Sequence, residues 1–230
     1  MTADCAIAAP RAFDYSASNT RAAIACPHDL VWFEVAALPA DVPDWARQII
    51  ADGAPAVIRR APRDAASLPI GIRGVTKRER CATRVDSAAL TRRLAPEAIV
   101  LEEDVVAADR CASLAAITAL FSLCDELAGS SSTWGVTGAL GYELATGAAV
   151  AHAASDIDIV VCMPERDDRH LETLAAAARG CREAHGVRCD IQLETPAGGV
   201  ALADWLGVGA RVMIKSDTGP YLSPDPWQGP

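Results

Sequence analysis

The sequence predicts a mixed α+β or α/β protein: a mixed sheet flanked by helices in the second half, preceded by a smaller N-terminal α/β module. Three observations carry this. The chain has 230 residues, 51% apolar and 22% charged, which is enough apolar surface for a substantial core and too much for a disordered chain. Short alternating or continuously apolar runs recur along the chain, with segments of helical period between them. Even the most apolar helical stretch, Leu114 to Leu123, carries Thr118 and Ser122 and falls short of the roughly 20 residues that span a bilayer, so it reads as a core helix.

Taken in order, residues 1–25 lack sustained periodicity and read as a loose leader. LVWFEV from Leu30 is a strand, and DWARQII after Pro43 is a short helix stopped near Gly53. PAVIRRA and PIGIRG are two further strands. A basic stretch from Arg73 to Arg84 follows, and Ser87 to Leu94 reads as helix ending near Pro96. The acidic run Glu102, Glu103, Asp104 marks a boundary near residue 105, which gives an N-terminal module over 26–105 and a core over 106–230. Asp109 to Leu127 reads as one long helix with Leu114, Ile117, Phe121, Cys124 and Leu127 on a single face. WGVTG (134–138) is a strand entering a glycine turn formed with Gly141. Ser155 to Met163 is a core strand. Asp167 to His185 is an alanine-rich helix stopped by Gly186. Val187 to Glu194 alternates, with Val187, Cys189, Ile191 and Leu193 on one face and Arg188, Asp190, Gln192 and Glu194 on the other. Val200 to Leu206 reads as a short helix and Arg211 to Lys215 as the last strand, before a tail rich in Pro and Gly.

Composition narrows the function. A net charge of −9 argues against general nucleic-acid binding, which needs basic surface to displace counterions. Eight cysteines are scattered without a CxxC pair, so no structural zinc site is expected. His28, His152, His170 and His185 lack metal-ligand spacing and read as surface or packing residues. The N-terminus lacks a basic region followed by an apolar one, so a cytoplasmic protein without membrane association is expected.

The segment with most chemical content runs from Trp134 to Val161. Asp156 and Asp158 lie two apart on a strand and therefore point to one side, with Ile157 and Ile159 behind them. Hard oxygen ligands at this spacing suit Mg²⁺, which takes one or two carboxylates together with substrate phosphates. Asp190 lies on the polar face of a later strand. If the two strands are neighbours, three carboxylates converge, as two-metal phosphoryl or nucleotidyl transfer requires. Glu194 shares the face of Asp190 but is more peripheral.

These features resemble the polymerase-β-type nucleotidyltransferase superfamily. Longer strings are similar to one family within it, the phosphoribosyl-dephospho-CoA transferases, or malonate decarboxylase holo-[acyl-carrier protein] synthases. They are WGVTGALGYELATG, ASDIDIVV, DIQLETPAGGVALADW and TGPYLSPDPW, with PHDLVWFE, PAVIRRA and PIGIRGVTKRERCA in the first half. The resemblance spans Cys26 to Trp227. It implies a nucleotidyltransferase-type mixed sheet and a specific reaction. The prosthetic group of 2′-(5″-triphosphoribosyl)-3′-dephospho-CoA passes to a serine of the apo acyl-carrier subunit of malonate decarboxylase, and pyrophosphate leaves. Asp156 and Asp158 would hold Mg²⁺, and Asp190 would complete a second metal site or accept the serine proton. Gly138, Ala139 and Gly141 would meet the donor. Arg73, Lys77, Arg78 and Arg80 would meet donor phosphates or the acidic carrier. The turn reads Gly138-Ala139 where the superfamily carries Gly-Ser or Gly-Gly, which removes a hydroxyl but leaves the backbone N–H groups. The gap from it to Asp156 is long and suggests an inserted segment over Gly141 to Ala154. Two other readings are AMP transfer from ATP by another member of the superfamily, and a non-catalytic protein that binds a carrier.

Overall fold

The computed structural model describes residues 25–99 and 108–228, apart from Arg63, Ala65, Val75, Lys77, Ser131 and Val208. Residues 1–24 of the expected leader and the acidic run at 102–104 lie outside the described residues. The fold is mixed α+β, with two sheets and six α-helices among the described residues.

The first sheet is antiparallel. It contains β1 (Leu30–Phe33), β2 (Ala56–Ile58), β3 (Ser67–Arg73), β4 (Arg80–Asp86) and β5 (Leu90–Leu94), in the order β4-β3-β2-β1-β5. Helix α1 (Asp44–Ala51) starts directly after Pro43, whose fixed φ suits a helix entry, and it buries Ala46 and Ile50 against Val31, Phe33, Ile58, Ile70, Ile72 and Val85.

The helix expected over 87–94 is instead a 3-10 turn, Ser87–Ala89, followed by β5. Asp86 accepts from the Ala88 N–H and closes the turn. The chain then supplies the edge partner that β1 needs: Leu30 pairs with Leu94, Arg93 binds the buried Asp29, and Arg92 lies 4.3 Å over the Trp32 ring. These tertiary contacts override a local pattern that also fits a helix.

The second sheet has the order β11-β10-β9-β8-β7-β6. Its strands are β6 (Trp134–Thr137), β7 (Ile157–Cys162), β8 (Cys189–Thr195), β9 (Gly198–Ala201), β10 (Val212–Ser216) and β11 (Gly219–Ser223). Only β7 and β8 run parallel, joined by the crossover helix α5 (Asp168–His185). The ends of α5 carry the expected signals. Asp167 accepts from the His170 N–H at 3.0 Å, and Gly186 stops the helix at φ +68°.

One face of this sheet presents Val136, Ile157, Ile159, Val161, Ile191 and Leu193 to α3 (Ala115–Leu127) and α5. Full burial of each such side chain contributes about 1.5–3 kcal/mol. The face therefore fixes the strand register and, by alternation, sends Asp158 and Asp190 to the other side.

Three expectations are corrected here. The long helix is two: α2 (Ala108–Ser113) and α3, separated by a buried, extended Leu114. Its buried face is Ile117, Leu120, Leu123 and Leu127, while Phe121 and Cys124 are half-buried. The helix expected over 200–206 is a strand, β9, and then one turn, α6 (Leu202–Trp205). The strand expected to be the last, over 211–215, is followed by another within the tail rich in Pro and Gly. β11 forms a hairpin with β10, and Trp227 donates to the Met163 carbonyl and stands edge-on to Trp205 at 5.0 Å. Among the described residues, no helix is long and apolar enough to cross a membrane.

Candidate functional site

The predicted glycine turn is a strand-to-helix junction. Gly135 lies within β6, where the 3-10 turn Pro96–Ala98 crosses it so closely that a methyl group would lie 2.1 Å from the Pro96 carbonyl carbon. Gly141 lies inside helix α4 (Gly138–Thr146). The single residue that turns the chain is Gly138, at φ +66°. It follows the extended Thr137 and starts α4 directly, so Ala139 falls in the first turn of the helix. Its Cα presses on the Asp158 carboxylate: a methyl group on Gly138 would lie 2.0 Å from Oδ2. The Thr137 hydroxyl donates to the Asp158 carbonyl at 3.3 Å.

Asp158 and Asp190 stand directly opposite one another on the parallel pair β7–β8. Asp156 lies just before β7. Arg188, just before β8, donates from Nη2 to Asp156 at 2.9 Å and to Asp190 at 2.6 Å. Asp158 is the carboxylate most confined. Burial, and then the nearby Asp190 and Asp156, push its pKa above the ordinary value, with Arg188 and Lys215 pulling the other way. Asp156 and Asp190 are 40% and 47% exposed, so the site is an open face rather than an enclosed cavity. A surface depression lined by Ser132, Thr133, Cys162 and Asp167 lies at the other end of β7, away from the aspartates.

The three carboxylates are not drawn into one coordination shell: among the described residues, no group of three or more His, Cys, Asp or Glu side chains is placed to hold a metal ion. The donor set nevertheless fits a divalent cation in its chemistry. All its atoms are hard oxygens, and burial together with mutual repulsion already raises one carboxyl. The single charge on Arg188 offsets part of that repulsion.

The segment entering Asp156 is pinned from behind. Buried Glu143 on α4 accepts from Arg110 Nε at 2.8 Å and Nη2 at 2.9 Å, and from the backbone N–H groups of Val150 and Ala151 at 2.9 and 2.8 Å. Burial pushes the Glu143 carboxyl up, but these hydrogen bonds outweigh it and hold the pKa below the ordinary value. The structure thus ties α2, α4 and the loop before β7 into one unit.

The structure brings Gly138, Ala139, Asp156, Asp158 and Asp190 together. Arg73 and Arg80 face each other across the last pair of the β3–β4 hairpin, exposed, with Arg78 in the connection. Lys77 lies outside the described residues. Among the described residues, no hydrogen bond or ion pair joins Arg73, Arg78 or Arg80 to the aspartates. The cations near them are Arg188 and Lys215, whose Nζ donates to Gln192 Oε1 at 3.0 Å. Sequence reasoning gave neither a role. The signal for Arg188 was its place two residues before Asp190 on the polar face of an alternating strand. Glu194, set aside as peripheral, binds Arg60 of the first sheet's module at 2.6 Å.

Comparison with known proteins gives two family matches. Residues 26–96 match the N-terminal domain, and residues 100–226 the C-terminal domain, of phosphoribosyl-dephospho-CoA transferase MdcG. A Pseudomonas aeruginosa protein named phosphoribosyl-dephospho-CoA transferase is 41% identical over 206 residues, 88% of this chain and 93% of its own. Proteins of the same name from Pseudomonas putida and Klebsiella pneumoniae are 40% and 38% identical, each covering 87% of this chain and 94% and 95% of their own lengths. No solved structure gives a significant match.

Proposed function

The chain belongs to the phosphoribosyl-dephospho-CoA transferase family and is an enzyme with transferase activity, and on that premise we propose the reaction it performs. The donor is 2′-(5″-triphosphoribosyl)-3′-dephospho-CoA, and the acceptor is a serine of the apo acyl-carrier subunit of malonate decarboxylase. The serine oxygen attacks the innermost phosphorus. A new P–O bond forms, the bond to the outer two phosphates breaks, and pyrophosphate leaves. The setting is the cytoplasm.

The observation that carries this reading is the meeting of Asp158, Asp190 and the N-terminus of α4 at Gly138 on one sheet face. Backbone N–H groups at the start of α4, Ala139 among them, are aimed to receive phosphate oxygens, and they need no side-chain hydroxyl for it. Arg188 and Lys215 add positive charge against the triphosphate. Asp190, the more exposed member of the in-register pair, accepts the serine proton. Asp156 and Asp158 are the residues that would hold Mg²⁺, which when bound neutralises phosphate charge and lowers the pKa of the attacking hydroxyl. The basic end of the β3–β4 hairpin, with Arg73, Arg78 and Arg80, offers a cationic surface to the carrier, which an enzyme of net charge −9 needs for docking an acidic partner.

The test is a pyrophosphate-release assay with donor and carrier varied separately. Release that requires the triphosphoribosyl donor and the apo carrier together, and is lost in Asp158→Asn, supports the reading. Release from ATP in place of that donor favours AMP transfer instead.

A further inference from the structure

A second polar cluster lies on the same sheet face as the aspartates, and none of its members has been given a role in the transfer beyond the charge on Lys215. Gln192 follows Asp190 by two residues on β8, so its side chain emerges roughly 7 Å further along the same face. Its amide nitrogen donates to Glu194 Oε1 at 2.7 Å and lies 2.8 Å from His28 Nε2, while its oxygen accepts from Lys215. Glu194 in turn holds Arg60. His28 and Arg60 both come from the module of the first sheet. Burial keeps the His28 ring below its ordinary pKa; Glu194 pulls the other way, and Arg60 and Lys215 add to the lowering. A neutral ring can accept the Gln192 proton.

The backbone of His28 is the unusual part. Among the described residues it is the one non-glycine with positive φ, at +78°. The conformation belongs to the turn Cys26–Asp29, closed by the Asp29 N–H donating to the Cys26 carbonyl at 3.1 Å with Pro27 before His28, and it is held by the His28 N–H donating to the Ile58 carbonyl at 3.0 Å and by buried Asp29, which accepts from the Cys26 N–H at 2.7 Å and binds Arg93. Left-handed backbone in a side-chain-bearing residue is unfavourable and persists where the surroundings over-determine it, typically beside functional groups.

We propose that His28 is a positioning residue. It fixes Gln192 as the floor of the donor site beside Asp190, and so makes the N-terminal module one wall of the cleft that binds the triphosphate donor. This rests on the reaction proposed above. Gln192 touches the donor through the lone pair of its amide oxygen that Lys215 leaves open, which accepts from a ribose hydroxyl, and His28 acts through it.

The experiment measures donor KM and kcat, together with donor Kd by calorimetry without carrier, for wild type, His28→Gly, Gln192→Met and the double variant. Glycine takes positive φ without strain, so His28→Gly removes the ring while relaxing the turn. Gln192→Met leaves the turn intact and serves if His28→Gly folds poorly. The expected result is a rise of about tenfold in donor KM and Kd in each single variant, the weight of one well-placed hydrogen bond, with kcat within about threefold. The double variant should match the single ones, because both break one contact path. A purely structural role would lower kcat through loss of folded enzyme and leave KM unmoved, and that result overturns the proposal, as do unchanged constants or multiplying effects. Absence of transfer by wild type would count against the reaction itself, whereas transfer with normal constants in both variants counts against the roles of His28 and Gln192 alone.

Discussion

Substituting Gly138 by alanine adds one methyl group at the point where β6 becomes α4. Two costs follow. Left-handed backbone costs an alanine about 1–2 kcal/mol, and Gly138 has φ +66°. The methyl would also lie 2.0 Å from Asp158 Oδ2, 2.8 Å from Cγ and 3.0 Å from Cβ. Close C···O contacts settle at roughly 3.3–3.6 Å, so the carboxylate must retreat by more than about 1 Å. Misplacement on that scale costs on the order of 100-fold in rate. We therefore expect kcat/KM for transfer to fall at least about 100-fold, with Tm lower by about 2–8 °C. Gly147→Ala is the matched control. Its φ is +74°, but a methyl there would meet nothing within 4 Å. It should lose similar stability and keep its turnover. If Gly138→Ala loses no more activity than Gly147→Ala, Asp158 does not act where the structure places it.

Asp156→Ala and Asp158→Ala should each reduce transfer by at least about 10³-fold while circular dichroism stays native; near wild-type turnover in either would remove the metal-site reading. The raised pKa of Asp158 means that its protonated form favours the fold, so its contribution is present at low pH and is lost as pH rises through the folded value. Asp158→Asn should thus melt higher than wild type near neutral pH, and Mg²⁺ should raise the Tm of wild type but not of the variant. Glu143→Gln should destabilise by about 2–4 kcal/mol, because Arg110 loses a charged partner at a buried site. The lowered pKa of Glu143 makes this stabilisation present above the unfolded carboxyl value and lost as pH falls through the lower folded one, so urea midpoints of wild type and variant should converge in acid. Arg73→Ala should raise the carrier KM roughly 3–10-fold, less so at high salt, with donor KM unchanged.

The parts of the fold legible in the sequence are those whose signals are local. The alternation of Val187 to Glu194 and the apolar run to Met163 gave β7 and β8, and the residues Asp167 and Gly186 marked both ends of α5. Alternation also put Asp158 and Asp190 on polar faces. That these faces coincide depends on strand adjacency, which only the folded chain shows. The start of α4 was hidden because glycine and alanine in GVTGALG suit a turn as well as a helix. β5 was hidden because LTRRL becomes a strand through β1 and the Arg93–Asp29 pair. Contacts across long separations left no trace in spacing: Arg110 to Glu143 spans 33 residues, and His28 to Gln192 spans 164. Hence His28 read as an ordinary surface or packing histidine.

In the proposed reaction this chain moves a phosphoribosyl-dephospho-CoA group onto a carrier serine. The most direct measurement is intact-protein mass spectrometry of the apo acyl-carrier subunit after incubation with enzyme, triphosphoribosyl donor and Mg²⁺, followed by fragmentation to locate the modified residue. The proposed reaction adds one group whose mass is that of the donor less pyrophosphate, on a serine, absent when Asp158→Asn replaces wild type. An unmodified carrier, or an adenylyl group gained from ATP, would contradict it.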